Sequence, residues 1–233
     1  MYLTGTKMHV VVINKNQQEL VKPMMEALAP YEPLFVFDRC EPVDGCRYVK
    51  NVSGTGFLAG KMRDLGAKGI DDDILFLDGD KVPQGDIVAD VERLKSKYDC
   101  ICYGVDARYE HSELRGFMRT DGVDGVVPWQ KDGRPFAYGC YSCGMWICRD
   151  GIRKLREING GRIFHPAFDG TWGDEDNFVA DELHYSGFRI GYSTHVRLAG
   201  KFGDCSDNVK MEGWSRNFIK RVHLRKSLFN APA

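Results

Sequence analysis

The chain has 233 residues, 32 Lys and Arg against 33 Asp and Glu, a net charge of −1 and 43% hydrophobic residues. Balanced charge without an aromatic-basic motif argues against a nucleic-acid binder, and apolar runs such as 10–13 and 74–77 fall far short of the roughly 20 residues that span a bilayer. This is globular composition with enough length for a substantial core, and residues 1–7 have neither secretory nor transit character, so a cytoplasmic chain is expected.

In chain order, the β-branched run 8–13 predicts a central parallel strand covered on both faces, closed by Asn14. Leu20, Val21, Met24, Met25 and Leu28 recur at helical spacing over 17–28, with Pro30 as the stop. A second strand over 34–37 ends at Asp38, a helix over 56–66 carries Leu58, Met62 and Leu65, and a third strand over 74–77 ends at Asp78. A helix over 87–94 and a strand around 100–103 complete a β-α-β-α-β-α-β order, which predicts a mainly parallel sheet covered by helices. Residues 104–138 break the rhythm and read as a loop-rich insertion with one or two short hairpin strands. Regularity returns with a strand over 144–148, helices over 151–158 and 175–185, and a short strand over 189–192.

The eight cysteines, at 40, 46, 100, 102, 140, 143, 148 and 205, suit buried reduced thiols in a chain too large to need disulfide staples. Cys140 and Cys143 have the gap of a zinc half-site, but no second pair accompanies them. The tail from 209 to 233 holds Lys210, Arg216, Lys220, Arg221, Arg225 and Lys226 against Glu212 alone. Trp214, Phe218, Val222 and Leu228 share one helical face there, which predicts an amphipathic helix docked on the domain, with an anionic partner or peripheral membrane contact as the competing use of its charge.

In open α/β sheets ligands bind beyond the carboxyl ends of the strands, so the residues that follow strands are the first candidates. Asp78-Gly79-Asp80 places two carboxylates around one glycine, hard oxygen ligands suited to Mg²⁺ or Mn²⁺. Trp172-Gly173-Asp174-Glu175-Asp176 opens the helix at 175, where carboxylates are favoured by the helix dipole and are also placed to serve as a general base. His195 follows the strand-like 189–192.

Taken in order, these motifs resemble the GT-A glycosyltransferases, in particular the large family that transfers a sugar from a nucleotide diphosphate with inversion. The resemblance covers most of residues 8–200. It implies a single α/β domain with the GT-A (Rossmann-like) fold, a mixed, mainly parallel central sheet flanked by helices, spanning 1–208. The nucleotide-binding half would be about 1–103 and the acceptor half about 104–208, with 209–233 as the basic tail. Asp38 looks like the acid that contacts the nucleoside, and Arg63, in Met62-Arg63-Asp64-Leu65-Gly66, looks like a nucleotide or diphosphate contact, although Asp64 stands where the family has Asn. Asn14 joins them as a donor-side residue at the end of the first strand. Asp78-Gly79-Asp80 matches the DxD motif, whose acids bind ribose and metal, and His195 lies where many relatives place a further metal ligand. The Trp172 element is similar to W-G-x-E-D, which implies Asp176 as catalytic base, Glu175 as an acceptor-binding acid and Trp172 as an acceptor contact. The implied activity is Mn²⁺- or Mg²⁺-dependent transfer from a UDP-sugar to a glycan or glycoprotein acceptor.

Two rivals remain at this level. Gly54-Thr55-Gly56-Phe57-Leu58-Ala59-Gly60 followed by Asp78 resembles an NAD(P) fingerprint, though residues 47–53 before it make a poor buried strand. A non-catalytic nucleotide-sugar-binding protein would keep the fold without turnover.

Overall fold

The computed structural model describes residues 7–15, 18–38, 40–51, 59–105, 122–124, 130–131, 134–135, 144–169, 173–199 and 207–229. The β-branched run forms β1 (Met8–Lys15), followed by α1 (Gln18–Ala27), β2 (Leu34–Asp38), β3 (Arg47–Asn51), α2 (Ala59–Gly66) and β4 (Asp73–Asp78). β1 pairs in parallel with β2 on one side and β4 on the other, and β3 extends the sheet beyond β2. Next come β5 (Val82–Gln84), α3 (Ile87–Leu94), β6 (Cys100–Val105) and the short strands β7 (Gly122–Asp124), β8 (Gln130–Lys131) and β9 (Arg134–Pro135). β10 (Gly144–Ile147), α4 (Arg149–Ile158), α5 (Glu175–Tyr185), β11 (Ile190–Ala199) and α6 (Asp207–Phe229) complete the order.

The main sheet runs β3-β2-β1-β4-β10-β6-β11-β5, with β7 beside β11, while β8 and β9 pair separately. β10 is antiparallel to β4 and β6, and β5 is antiparallel to β11; the other pairings in this sheet are parallel. A mixed, mainly parallel sheet flanked by helices is therefore present, as the alternating pattern requires. Side-chain alternation along β1 separates two cores. Val11 and Ile13 join Met62 of α2, Leu155 of α4 and Leu183 of α5, whereas Val10 and Val12 join Met24 of α1 and Val91 of α3. Asp86 caps α3 by accepting from the Val88 and Ala89 amides. Gly66 lets α2 press onto the sheet, because a Cβ there would stand 2.5 Å from Val11 Cγ1 and 2.8 Å from Val36 Cγ2.

Several expectations change. Residues 47–51 do form a strand, and exposed Tyr48 with charged Arg47 and Lys50 suits a sheet edge, where two apolar faces are unnecessary. β11 runs seven residues past the expected end at Tyr192, so His195 sits inside a strand and not after one. α6 packs on α5, and its basic face is not wholly solvated: Arg221 and the neighbouring Asn217 are buried, while Leu228 of the expected apolar stripe is 47% exposed. The reason is the acidic surface of α5 and its preceding turn, which α6 meets with a guanidinium. The side chains of Trp214 and Phe218 lie outside the described residues. Cys40, Cys46, Cys100 and Cys148 are free thiols. Cys102 departs from the reduced-thiol expectation: it is disulfide-bonded. Outside the described residues are the 54–58 part of the glycine-rich segment, Cys140, Cys143 and Trp172. No helix among the described residues is long and apolar enough to cross a membrane.

Candidate active site

Parallel pairing brings the ends of β1, β2 and β4 to one edge of the sheet, with Ile13 opposite Asp78 and Lys15 opposite Asp38. Asn14 and Asp38 are almost wholly buried there. The chain leaving β4 is pinned by the Gly79 amide, which donates to the Ile13 carbonyl at 2.7 Å. Gly79 is required by close approach, since a Cβ would stand 2.7 Å from Asn14 Nδ2 and 2.8 Å from the Ile13 oxygen. The glycine between the two acids therefore locks the 78–80 turn against the neighbouring strand end.

Arg63, from α2, joins the two sequence motifs. Its Nη2 donates to Asp78 Oδ1 at 2.6 Å and its Nη1 donates to Glu175 Oε1 at 3.0 Å, with the side chain only 2% exposed. The guanidinium also lies over the Phe164 ring, 5.5 Å from its centroid, a cation–π contact. Burial alone would lower the Arg63 pKa, but the charges of Asp78, Glu175 and Asp176 outweigh it and raise the value. This arginine stays charged. Asp64, which replaces the family's Asn, turns away from this junction: it accepts from Arg162 Nε at 2.7 Å and from the Ile163 amide at 2.8 Å, fixing the turn that carries Phe164.

Asp80 pairs with the adjacent Lys81 Nζ at 2.5 Å. Burial and then the Asp78 charge raise the Asp80 pKa, against Lys81. Lys81 is itself 3% exposed and has no signal in the sequence, where a lysine following two acids reads as a solvated turn residue. His195 is exposed on β11, its amide donating to Ser193 Oγ at 3.3 Å. Among the described residues no three His, Cys, Asp or Glu side chains gather around a common point, so His195 is not brought to Asp78 and Asp80.

At the start of α5, Asp174, Glu175 and Asp176 are all buried. Burial, reinforced by the Asp176 charge and opposed by Arg63, pushes the Glu175 pKa up to about 7. Asp174 is pushed up to about 6, chiefly by burial, against the attraction of Arg221. The Asn177 amide donates to Asp176 Oδ1 at 2.7 Å, holding that carboxylate over the helix N-terminus. Arg221 from α6 reaches this group through Asp174 and Asp181 and is likewise invisible in the sequence, where it reads as part of a basic face. Chemically, the site offers strand-end carboxylates for a cation and a polar ligand, a permanent buried positive charge, and carboxylates able to exchange protons near neutrality.

The sequence matches no protein-family model and no curated protein. Among solved structures the chain is similar to the mannosyltransferase PcManGT from Pyrobaculum calidifontis in complex with GDP-Man and Mn²⁺. The TM-score is 0.59 at 14% identity, over 94% of this chain and 64% of that one. It is also similar to GalNAc-T7 with UDP, GalNAc and Mn²⁺, with a TM-score of 0.62 at 11% identity, over 98% of this chain and 50% of that one. The chain thus spans less than two thirds of the length of either protein. Strand order, mixed sheet and these similarities agree on one conclusion: the chain has the GT-A glycosyltransferase fold.

Proposed function

We propose that this chain is a metal-dependent inverting glycosyltransferase that moves a sugar from a nucleotide-diphosphate donor, a UDP-sugar, to a hydroxyl of a glycan or glycoconjugate. Fold alone does not carry function. The supporting observation is the Arg63 junction, which ties Asp78 of the DxD turn to Glu175 of the α5 motif, 97 positions apart in the chain. Both similar structures hold Mn²⁺ together with a nucleotide or nucleotide sugar.

The donor set fits a hard divalent ion. Asp78 and Asp80 supply carboxylate oxygens, and mutual repulsion helps raise the Asp80 pKa, a cost that a cation removes. Two carboxylates suffice for Mg²⁺ or Mn²⁺ when water and donor phosphates complete the shell. When bound, such an ion neutralises charge developing on the departing diphosphate. Asn14 and Asp38 line the nucleoside side, and Arg63 adds fixed positive charge beside the phosphates. Asp176 accepts the proton of the acceptor hydroxyl as that oxygen attacks the anomeric carbon from the face opposite the leaving group, which inverts the configuration. Glu175 orients the acceptor, with Trp172 as its stacking surface.

Incubation with UDP- and GDP-sugars and Mn²⁺, followed by assay of free nucleotide diphosphate, tests the reading. One donor should be consumed, with consumption abolished by chelation and lowered by about 10² to 10⁴-fold in Asp176→Asn. Tight nucleotide binding without consumption would instead support the binding-protein alternative, and binding of NADH in place of any nucleotide diphosphate would support the oxidoreductase one.

A further inference from the structure

The sequence predicts that α6 docks on the domain with a solvated basic face, with an anionic partner as the competing use of that charge. Arg216 and Lys226 are exposed, but Arg221 turns inward. Arg221 is 2% exposed, its Nε donates to Asp181 at 2.5 Å and its Nη1 reaches Asp174 at 3.4 Å. One turn earlier, Asn217 Nδ2 donates to the Gly173 carbonyl at 2.7 Å. The Asn217 bond and the Arg221–Asp174 contact fall on the two residues that lead into α5. Those residues hold unusual backbone: Gly173 has φ 85° and Asp174 has φ 67° with ψ −6°. For a non-glycine residue the left-handed region is strained and persists only when its surroundings impose it. Asn177 Nδ2, bonded to Asp174 Oδ1 at 2.9 Å, supplies one restraint from within α5. The Phe178 amide, which donates to the Asp174 carbonyl at 2.9 Å, supplies another, and Asn217 and Arg221 of α6 add theirs.

We propose that α6 is part of the site, with Arg221 and Asn217 as positioning residues that hold the Gly173-Asp174 turn and thereby set where the first turn of α5 places Glu175 and Asp176. The inference rests on the transferase reading for its catalytic consequence, but not for the clamp itself. Two buried arginines from different helices, Arg63 of α2 and Arg221 of α6, pair with the acids at the start of α5 and partly offset their repulsion. They act in different directions, since Arg63 links that turn to the DxD acid and Arg221 links it to the last helix.

The test compares Arg221→Met, Arg221→Lys and Asn217→Leu with Lys226→Ala, a charge change on the exposed face of α6. The folded state of each is checked by near-UV circular dichroism. With a consumed donor, Arg221→Met should lower kcat by about 10²-fold, the scale expected when reacting groups are displaced by about 1 Å, while donor KM stays unchanged. Arg221→Lys should recover part of the loss and Lys226→Ala should lose nothing. Hydrogen exchange at residues 173–178 should quicken in Arg221→Met and Asn217→Leu while β1 and β4 stay protected. Wild-type kcat in a folded Arg221→Met, or an equal loss in Lys226→Ala, would overturn the proposal. If the wild type consumes no donor, the transferase reading fails, and exchange alone decides the clamp: faster exchange at 173–178 upholds it, unchanged exchange refutes it.

Discussion

The strand-end side of the site and the α5 side are assembled by different means. At the strand ends, Asn14, Asp38 and Asp78 are positioned by backbone pairing, each one register step from its neighbour across β2, β1 and β4. Their places follow from where apolar runs stop. At α5, the acids are positioned by side chains from far along the chain: Arg63 from α2, Arg221 and Asn217 from α6. A sheet edge is a stiff local scaffold, whereas a buried carboxylate cluster needs compensating charge wherever the fold can supply it. The two sides therefore respond differently to perturbation.

Asp176→Asn separates them most sharply: turnover should fall by about 10² to 10⁴-fold, the range for loss of a general base, while nucleotide titration stays as in the wild type. Arg63→Met should damage both sides, because it strands Asp78 and buried Glu175 without their partner. Urea unfolding should show a loss of about 3–5 kcal/mol, the usual cost of breaking a buried pair from one side. Glu182 probes the α5 side alone. It is fully buried, hydrogen-bonded by Asn159 Nδ2 at 3.0 Å, and burial pushes its pKa up to about 8 from 4.5. A raised carboxyl pKa means the folded state holds the proton more tightly, so the stability it contributes is present below about pH 4.5 and is lost as pH rises through about 8. Glu182→Gln should flatten that fall and be more stable than the wild type at pH 9, by an amount on the order of 3 kcal/mol. Gly66→Ala belongs to the strand-end side and should cost about 1–3 kcal/mol by overpacking against Val11 and Val36, visible as a lower Tm.

Sequence reading reaches the strand-end side because its signals are local. A β-branched run of period-free apolar residues marks a central strand, and an acid directly after it marks the strand's carboxyl end, so β1, β2, β4 and the strand-end positions of Asp38 and Asp78 are all legible. It also places α5 from Glu175 to Tyr185 as the structure has it. It falls short where non-local contacts decide. β3 escapes it because an edge strand lacks the buried pattern, and β11 is cut short at Tyr192 because polar Ser193 and Thr194 interrupt the apolar run; Ser193 is buried on Asp90, with its hydroxyl 2.6 Å from the carboxylate. Asp64 looks like a weakened motif, but its carboxylate is committed to the turn at 162–164. Arg221 has no local signal at all. A buried arginine and a solvated one look alike in a basic helix until the acids it meets are known, and Asp174 and Asp181 lie 40 or more positions away.

The central claim, that the DxD edge holds a metal and a nucleotide diphosphate, is tested most directly by calorimetric titration of UDP, GDP and CMP with and without Mn²⁺, on the wild type and on Asp80→Ala. The account predicts that one nucleotide, UDP, binds only with Mn²⁺ and that Asp80→Ala abolishes this binding while leaving the fold intact. No binding of any of the three in the presence of metal, or binding indifferent both to Mn²⁺ and to Asp80, would contradict it.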